Sequence, residues 1–307
     1  MQYKEFDQIE ISTKTVIAHS NLSVNLEDIY KYLPVHVPET LATKLKNKKA
    51  FQMYIKQSGS EIPYGSILKV QYENKIRGFT LLKAKNKKFF RNVVTVYMYI
   101  GKMITIKIPK QGKIQMTGCK VDKHAEDCIR YLWKYMKEMK ESYPDVYALT
   151  GTRKSFYTTL LTVMSNINFN LGFWVNREEL DTYINQLTSY NSLLETSFGY
   201  TGVNIKLPFD IDPENNISFI ECVEDKDKDE DDVWEQGTIS YIEYLANLSD
   251  KDKQKEIQKK RRNTFLVFHS GTAIMSGMSR FYMKDSYNQF IGIIKKAKAR
   301  IEEQVCN

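Results

Sequence analysis

The residue types that perform chemistry are present in this chain, but nowhere at a spacing that performs it. The four histidines (His19, His36, His124, His269) are scattered, and no His-Glu-x-x-His pair places two imidazoles on one helical face. Cys119, Cys128, Cys222 and Cys306 lack the paired spacing of a zinc site, so buried or free thiols in a reducing compartment are expected. No glycine-rich phosphate loop occurs. The acidic run Glu224 to Asp232 has carboxylates for calcium. It lacks the glycine a calcium loop needs at its sixth position, and Gln236 stands where the bidentate Glu belongs. It reads as a disordered, solvated excursion. The expectation is a protein that is not an enzyme, with no metal and no cofactor.

What the charged residues can do is bind polyanions. The net charge is +8, unevenly spread. Residues 210–243 hold thirteen Asp or Glu against two Lys, leaving +19 on the remainder. Lysine-rich stretches lie at Lys44 to Lys49, Lys83 to Arg91 and Lys251 to Arg262, and such clusters neutralise phosphate. The start, Met1 to Glu10, is polar and charged, so no signal peptide is expected. No apolar run approaches membrane-spanning length.

The elements that would position a binding surface are duplicated. Gly112-Lys113-Ile114-Gln115-Met116-Thr117-Gly118 and Gly271-Thr272-Ala273-Ile274-Met275-Ser276-Gly277 lie 159 residues apart and share one pattern: Gly, three residues, Met, a small hydroxyl residue, Gly. Each follows a period-two run, Ile106 to Gln111 or Phe265 to Ser270, which predicts the turn of a hairpin. Each precedes a helical stripe: Ala125, Cys128, Ile129, Leu132, Met136 and Met139 in the first, Tyr287, Phe290, Ile291, Ile294 and Ile301 in the second. Helices are expected near Asp122–Lys140 and Lys284–Glu303, covering a sheet on one face and leaving the other free.

Upstream, Val24-Asn25-Leu26-Glu27-Asp28 matches Val175-Asn176-Arg177-Glu178-Glu179, each an Asn cap with acids in the first helical turn. Each follows a strand-like run, Thr13 to Ala18 and Leu160 to Phe169. A competing match pairs Ser20-Asn21-Leu22 with Ser165-Asn166-Ile167, but it would put Gly172 inside the second helix. At 307 residues the chain can bury one large or two medium cores. The division expected is a first repeat over 1–145 with an insertion at about 34–88, and a second over 146–307 with an insertion at about 209–262. The first insertion should contain a hairpin, Ser66 to Gln71 with Lys75 to Leu81, around Glu73-Asn74.

Strand, short helix, long strand, Gly-turned hairpin and long helix, all repeated, resemble the TATA-box-binding protein family. Phe268-His269-Ser270-Gly271 with Met275-Ser276-Gly277 is similar to that family's Phe-x-Ser-Gly-Lys and Thr-Gly signature. Lys113 to Lys120 is similar to its Gly-Lys-x-x-x-Thr-Gly-x-Lys version. The resemblance covers about two thirds of the chain, and the Lys-, Asn-, Ile- and Tyr-rich composition resembles the divergent versions of large DNA viruses. The fold it implies is α+β: a pseudo-twofold duplicated saddle, a curved antiparallel sheet with two long helices on the convex face, plus insertions.

The function the resemblance implies is initiation of transcription by binding and bending AT-rich double-stranded DNA through the minor groove. Apolar wedges between base steps would produce the kinks. Phe268 takes the second wedge position of the second repeat and Phe198 the first. In the first repeat Phe90, or its neighbour Phe89, takes the first, and Pro109 stands where the family has Phe. Asn166 fits the central polar contact of the second repeat, with Thr13 or Thr15 in that place in the first, and Asn168 belongs to the implied DNA-binding set. Lys113, Met116, Thr117, Met275 and Ser276 complete the implied DNA-binding set. The implied partners are a B-type initiation factor and RNA polymerase, with no membrane and a monomeric chain. The implied place is intracellular: a host nucleus, a cytoplasmic viral factory or the virion. Two other classes stand beside this reading. One is the same fold without DNA binding, as a protein-interaction platform in a transcription or virion complex. The other is an accessory subunit of a nucleic-acid enzyme.

Overall fold

Two asparagines set the frame of the repeat. In the computed structural model, which describes residues 3–36, 38, 44–45, 48–58, 61–81, 91–195, 201–223 and 232–303, each caps the start of a helix. The Asn25 side chain accepts from the amides of Glu27 and Asp28, and Asn176 accepts from that of Glu179. These are amides that no intrahelical carbonyl can reach.

The first half runs β1 (Ile11–Ser20), β2 (Leu22–Val24), α1 (Leu26–Tyr32), β3 (Lys44–Leu45), α2 (Lys48–Ser58), β4 (Ile67–Tyr72), β5 (Lys75–Gly78), β6 (Thr80–Leu81), β7 (Val93–Tyr99), β8 (Met103–Pro109), β9 (Lys113–Cys119) and α3 (Asp122–Ser142). The second runs β10 (Tyr147–Leu149), β11 (Phe156–Asn170), α4 (Arg177–Leu187), β12 (Asn191–Glu195), β13 (Gly202–Pro208), β14 (Asn216–Val223), β15 (Val233–Ser240), α5 (Tyr241–Ala246), α6 (Asp250–Ile257), β16 (Arg262–Phe268), β17 (Thr272–Gly277) and α7 (Arg280–Ile301). The class is α+β, with antiparallel strands and two long helices, as the duplicated pattern led one to expect.

The chain forms two compact units. One holds residues 1–14, 162–215 and 240–307, the other 15–161 and 216–239. The chain crosses between them inside β1, inside β11, just before β14 and inside β15. The first unit orders its strands β12-β13-β16-β17-β11. Its core joins Ile167, Val203, Ile205, Phe265, Val267 and Met275 to the inner stripe of α7, where Phe290 stacks on Phe265 at 4.2 Å. The second unit orders β9-β8-β7-β4-β5. Ile104, Ile106, Ile108, Ile114 and Met116 meet Cys128, Ile129, Leu132 and Met136 of α3. Each helix satisfies one face of its strands, because alternate residues on a strand point to opposite sides.

The two hairpin glycines fix the register of the repeat. Gly112 (φ 61°) and Gly271 (φ 76°) occupy the left-handed region that a side chain resists. The Gly112 carbonyl accepts from Ser20 N at 3.2 Å and that of Gly271 from Leu171 N at 2.8 Å. A Cβ on Gly271 would collide with the Phe173 carbonyl oxygen. Ser20 is thus the counterpart of Leu171, and the capping match holds while the competing match fails. The offset that carries Asn25 to Asn176 carries Thr15, not Thr13, to Asn166.

The first insertion differs from expectation in one respect. The hairpin of β4 and β5 forms around Glu73, the one non-glycine residue with positive φ among those described. Yet β4 is also a main strand of its unit, paired with β7 along its length. The second insertion contains a folded ladder, β14 on β11, ahead of the acidic run. Of the acidic run only Asp232 is described, ion-paired to Lys137 of α3. Residues 224–231 lie outside the described residues.

Candidate nucleic-acid interface

In the unit built on α7, the residues that alternate with the core form an ordered lattice on the face away from that helix. One row runs Asn166, Ser276, Thr264, Lys206, Asn191 across directly paired positions. The next runs Asn168, Ile274, Leu266, Asn204, Leu193. Asn170 faces Thr272 at the end. β11, β17 and β16 carry no carboxylate at these positions. Amides and hydroxyls alternate with aliphatic groups, a surface that donates hydrogen bonds and tolerates apolar contact. The Asn166 and Asn204 Oδ1 atoms are buried and make no hydrogen bond among the described residues.

Phe268 ends β16 on this same face, half-buried, opposite Gly202. Its counterpart Pro109 ends β8, half-buried, opposite Val93. Phe90 and Phe198, the other expected wedges, lie outside the described residues.

In the other unit the corresponding face carries Thr95, Lys107 and Gln115 in one row and Tyr97, Thr105 and Thr117 in the next. Lys113 and Thr117 are exposed, Thr13 is half-buried and Thr15 buried. α2 of the insertion lies over one end of this face. Phe51 stacks on Phe79 at 4.3 Å, the Lys69 ammonium sits 5.0 Å above the Tyr97 ring, and Tyr99 and Met103 join the same cluster. Burial pushes the Tyr97 hydroxyl pKa up, so it stays a neutral donor.

Two expected DNA contacts face the wrong way. Met116 and Met275 are 0% exposed, on the helix-covered side among the core residues of their units. Both strands alternate through these positions, so Gln115 and Thr117, or Ile274 and Ser276, take the open side that the methionines cannot. The sequence reading missed Thr264, Leu266, Asn204, Lys206 and Ile274. The signal was present in the alternation Thr264, Leu266, Phe268 against Phe265, Val267, once the core face was known. Among the described residues no group of His, Cys, Asp and Glu could hold a metal, and no helix is long and apolar enough to cross a membrane.

No protein-family model matches the chain. It is 26% identical over 221 residues to uncharacterized protein 335L of Invertebrate iridescent virus 6, covering 67% of this chain. The chain spans 60% of that relative's length. Among solved structures, Methanococcus jannaschii TBP aligns with a TM-score of 0.43 at 13% identity, over 94% of this chain and 98% of that one.

Proposed function

We propose that this chain is a TATA-box-binding-protein-like factor that binds AT-rich double-stranded DNA through the minor groove and bends it. The observation that carries the reading is the twice-repeated open strand face, above all the carboxylate-free lattice of Asn166, Asn168, Thr264, Leu266, Ile274 and Ser276. A minor groove at A·T pairs offers only acceptors, N3 of adenine and O2 of thymine. Amide and hydroxyl donors suit those acceptors, aliphatic groups suit the groove walls, and missing carboxylates leave the phosphates unrepelled. Phe268 at the strand end is the wedge, and Pro109 is its apolar counterpart. In this reading the protein does no catalysis and works in a virus-infected cell with a B-type initiation factor and RNA polymerase.

A second reading has its own observations. Pro109 replaces a Phe, and α2 covers part of one open face through the Phe51–Phe79 cluster. Both favour a platform for proteins that no longer bends DNA. Fluorescence anisotropy of labelled duplexes of graded AT content, with energy transfer between the duplex ends, separates the two. The DNA reading expects tighter binding at higher AT content, salt-sensitive affinity and closer ends. Absence of both binding and bending leaves the platform.

A further inference from the structure

The second insertion returns to the strands through four residues, Lys259-Lys260-Arg261-Arg262, and the structure holds them in one place. Ser240 opens α5 with a reciprocal capping box to Glu243, and Ser249 caps α6 through the amide of Asp252. α6 ends at Ile257, so the chain must cross to β16 within a few residues. Arg261 anchors the crossing. Its guanidinium pairs with Glu256, donates to the Tyr241 hydroxyl at 3.3 Å and lies 3.5 Å from the Met278 sulfur. Its carbonyl accepts from Phe209 N at 3.3 Å. Arg261 is only 8% exposed and its charge is matched by Glu256, so the crossing is anchored beside Lys260 and Arg262.

Between this segment and the open face lies a cleft of about 550 Å³. Lys259, Lys260, Arg261 and Arg262 line one side, and Lys206 joins them from β13. Thr264 and Ser276, which belong to the first row of the lattice, line it as well. None of its lining residues is a carboxylate. Lys206, Lys260 and Arg262 are exposed, and among the described residues none of the three has an ion pair. Like charges gathered in a concave, partly apolar site focus an electrostatic field that an anion relieves. A solvated lysine loop would need neither the anchor nor the concavity.

We infer that this cleft binds phosphate groups of the nucleic-acid backbone and grips a strand where it leaves the open face. Taking DNA as the ligand rests on the functional reading above. The phosphate chemistry rests on the cleft alone. The two arginine and lysine arms Arg262 and Lys260 make the contacts, Lys206 adds a third, and Arg261 is a positioning residue.

The test is a salt titration of duplex binding by the full chain, wild type against the double variant Lys260→Gln/Arg262→Gln. Each phosphate contact removed should lower the slope of log K against log salt by about 0.9, so the double variant should lose about 1.8. AT preference should be unchanged, because phosphates carry no sequence information. A wild-type slope in the double variant overturns the inference. If the wild type binds no duplex, the DNA reading fails by itself and inorganic tripolyphosphate decides the cleft. A tripolyphosphate-induced rise in melting temperature that the double variant lacks upholds a phosphate site, and equal behaviour of the two proteins overturns it.

Discussion

Phe265 and Phe268 stand three residues apart on one strand, and truncating each should do opposite things. Phe265 is fully buried and stacks on Phe290 with rings 10° from parallel. Phe265→Ala removes that contact and leaves a cavity, a loss of about 3–5 kcal/mol. Phe268 points to the other side of the strand, is half-buried and faces a glycine across the ladder. Its truncation forfeits about half of a full aromatic burial, about 1 kcal/mol of stability. If it wedges between base steps, its loss should weaken DNA binding by about 2–3 kcal/mol, the range of an interface anchor. That is roughly 30- to 150-fold in Kd. Guanidinium unfolding measures the first quantity, anisotropy on an AT-rich duplex the second, and energy transfer between duplex ends the bend. The reasoning is refuted if Phe268→Ala unfolds as easily as Phe265→Ala while DNA affinity and bending stay at wild-type values.

Two further outcomes follow from the geometry. Gly271→Ala should destabilise by well over the ~1 kcal/mol of a left-handed residue alone, because its Cβ would strike the Phe173 carbonyl. Gly151→Ala, with φ 80° and open space around it, should lose only that ~1 kcal/mol, and thermal denaturation of both variants checks the contrast. The Cys222 thiol is pushed up to about 11, first by burial and then by the Asp232 carboxylate. It should resist iodoacetamide at pH 8 in the native protein and react on unfolding. Since its folded pKa lies above the ordinary thiol value of 9.0, the stability it contributes is whole below pH 9 and is lost as pH rises toward 11. Cys222→Ala should flatten the fall in stability over that window.

The duplication, the α+β class and both long helices were legible from residue order, because cap chemistry, strand alternation and helical stripes are local and each occurs twice. Asn25 and Asn176 named their helices, and Gly112 and Gly271 named their turns, since few other residues satisfy an orphan amide or a positive φ. Which face each strand residue takes was not local information. Met116 and Met275 sit inside the same motif as Thr117 and Ser276, and one residue of parity separates core from open surface. Only the packing of α3 and α7 settles that parity, because a period-two pattern has two faces and does not say which one a helix will cover. The basic cleft was hidden for a related reason. Lys259 to Arg262 read as a charge run in sequence. Their common position with Lys206, Thr264 and Ser276 depends on Arg261 reaching Glu256, Tyr241 and Met278. The first two lie on the two helices of the insertion, and the third follows the end of β17.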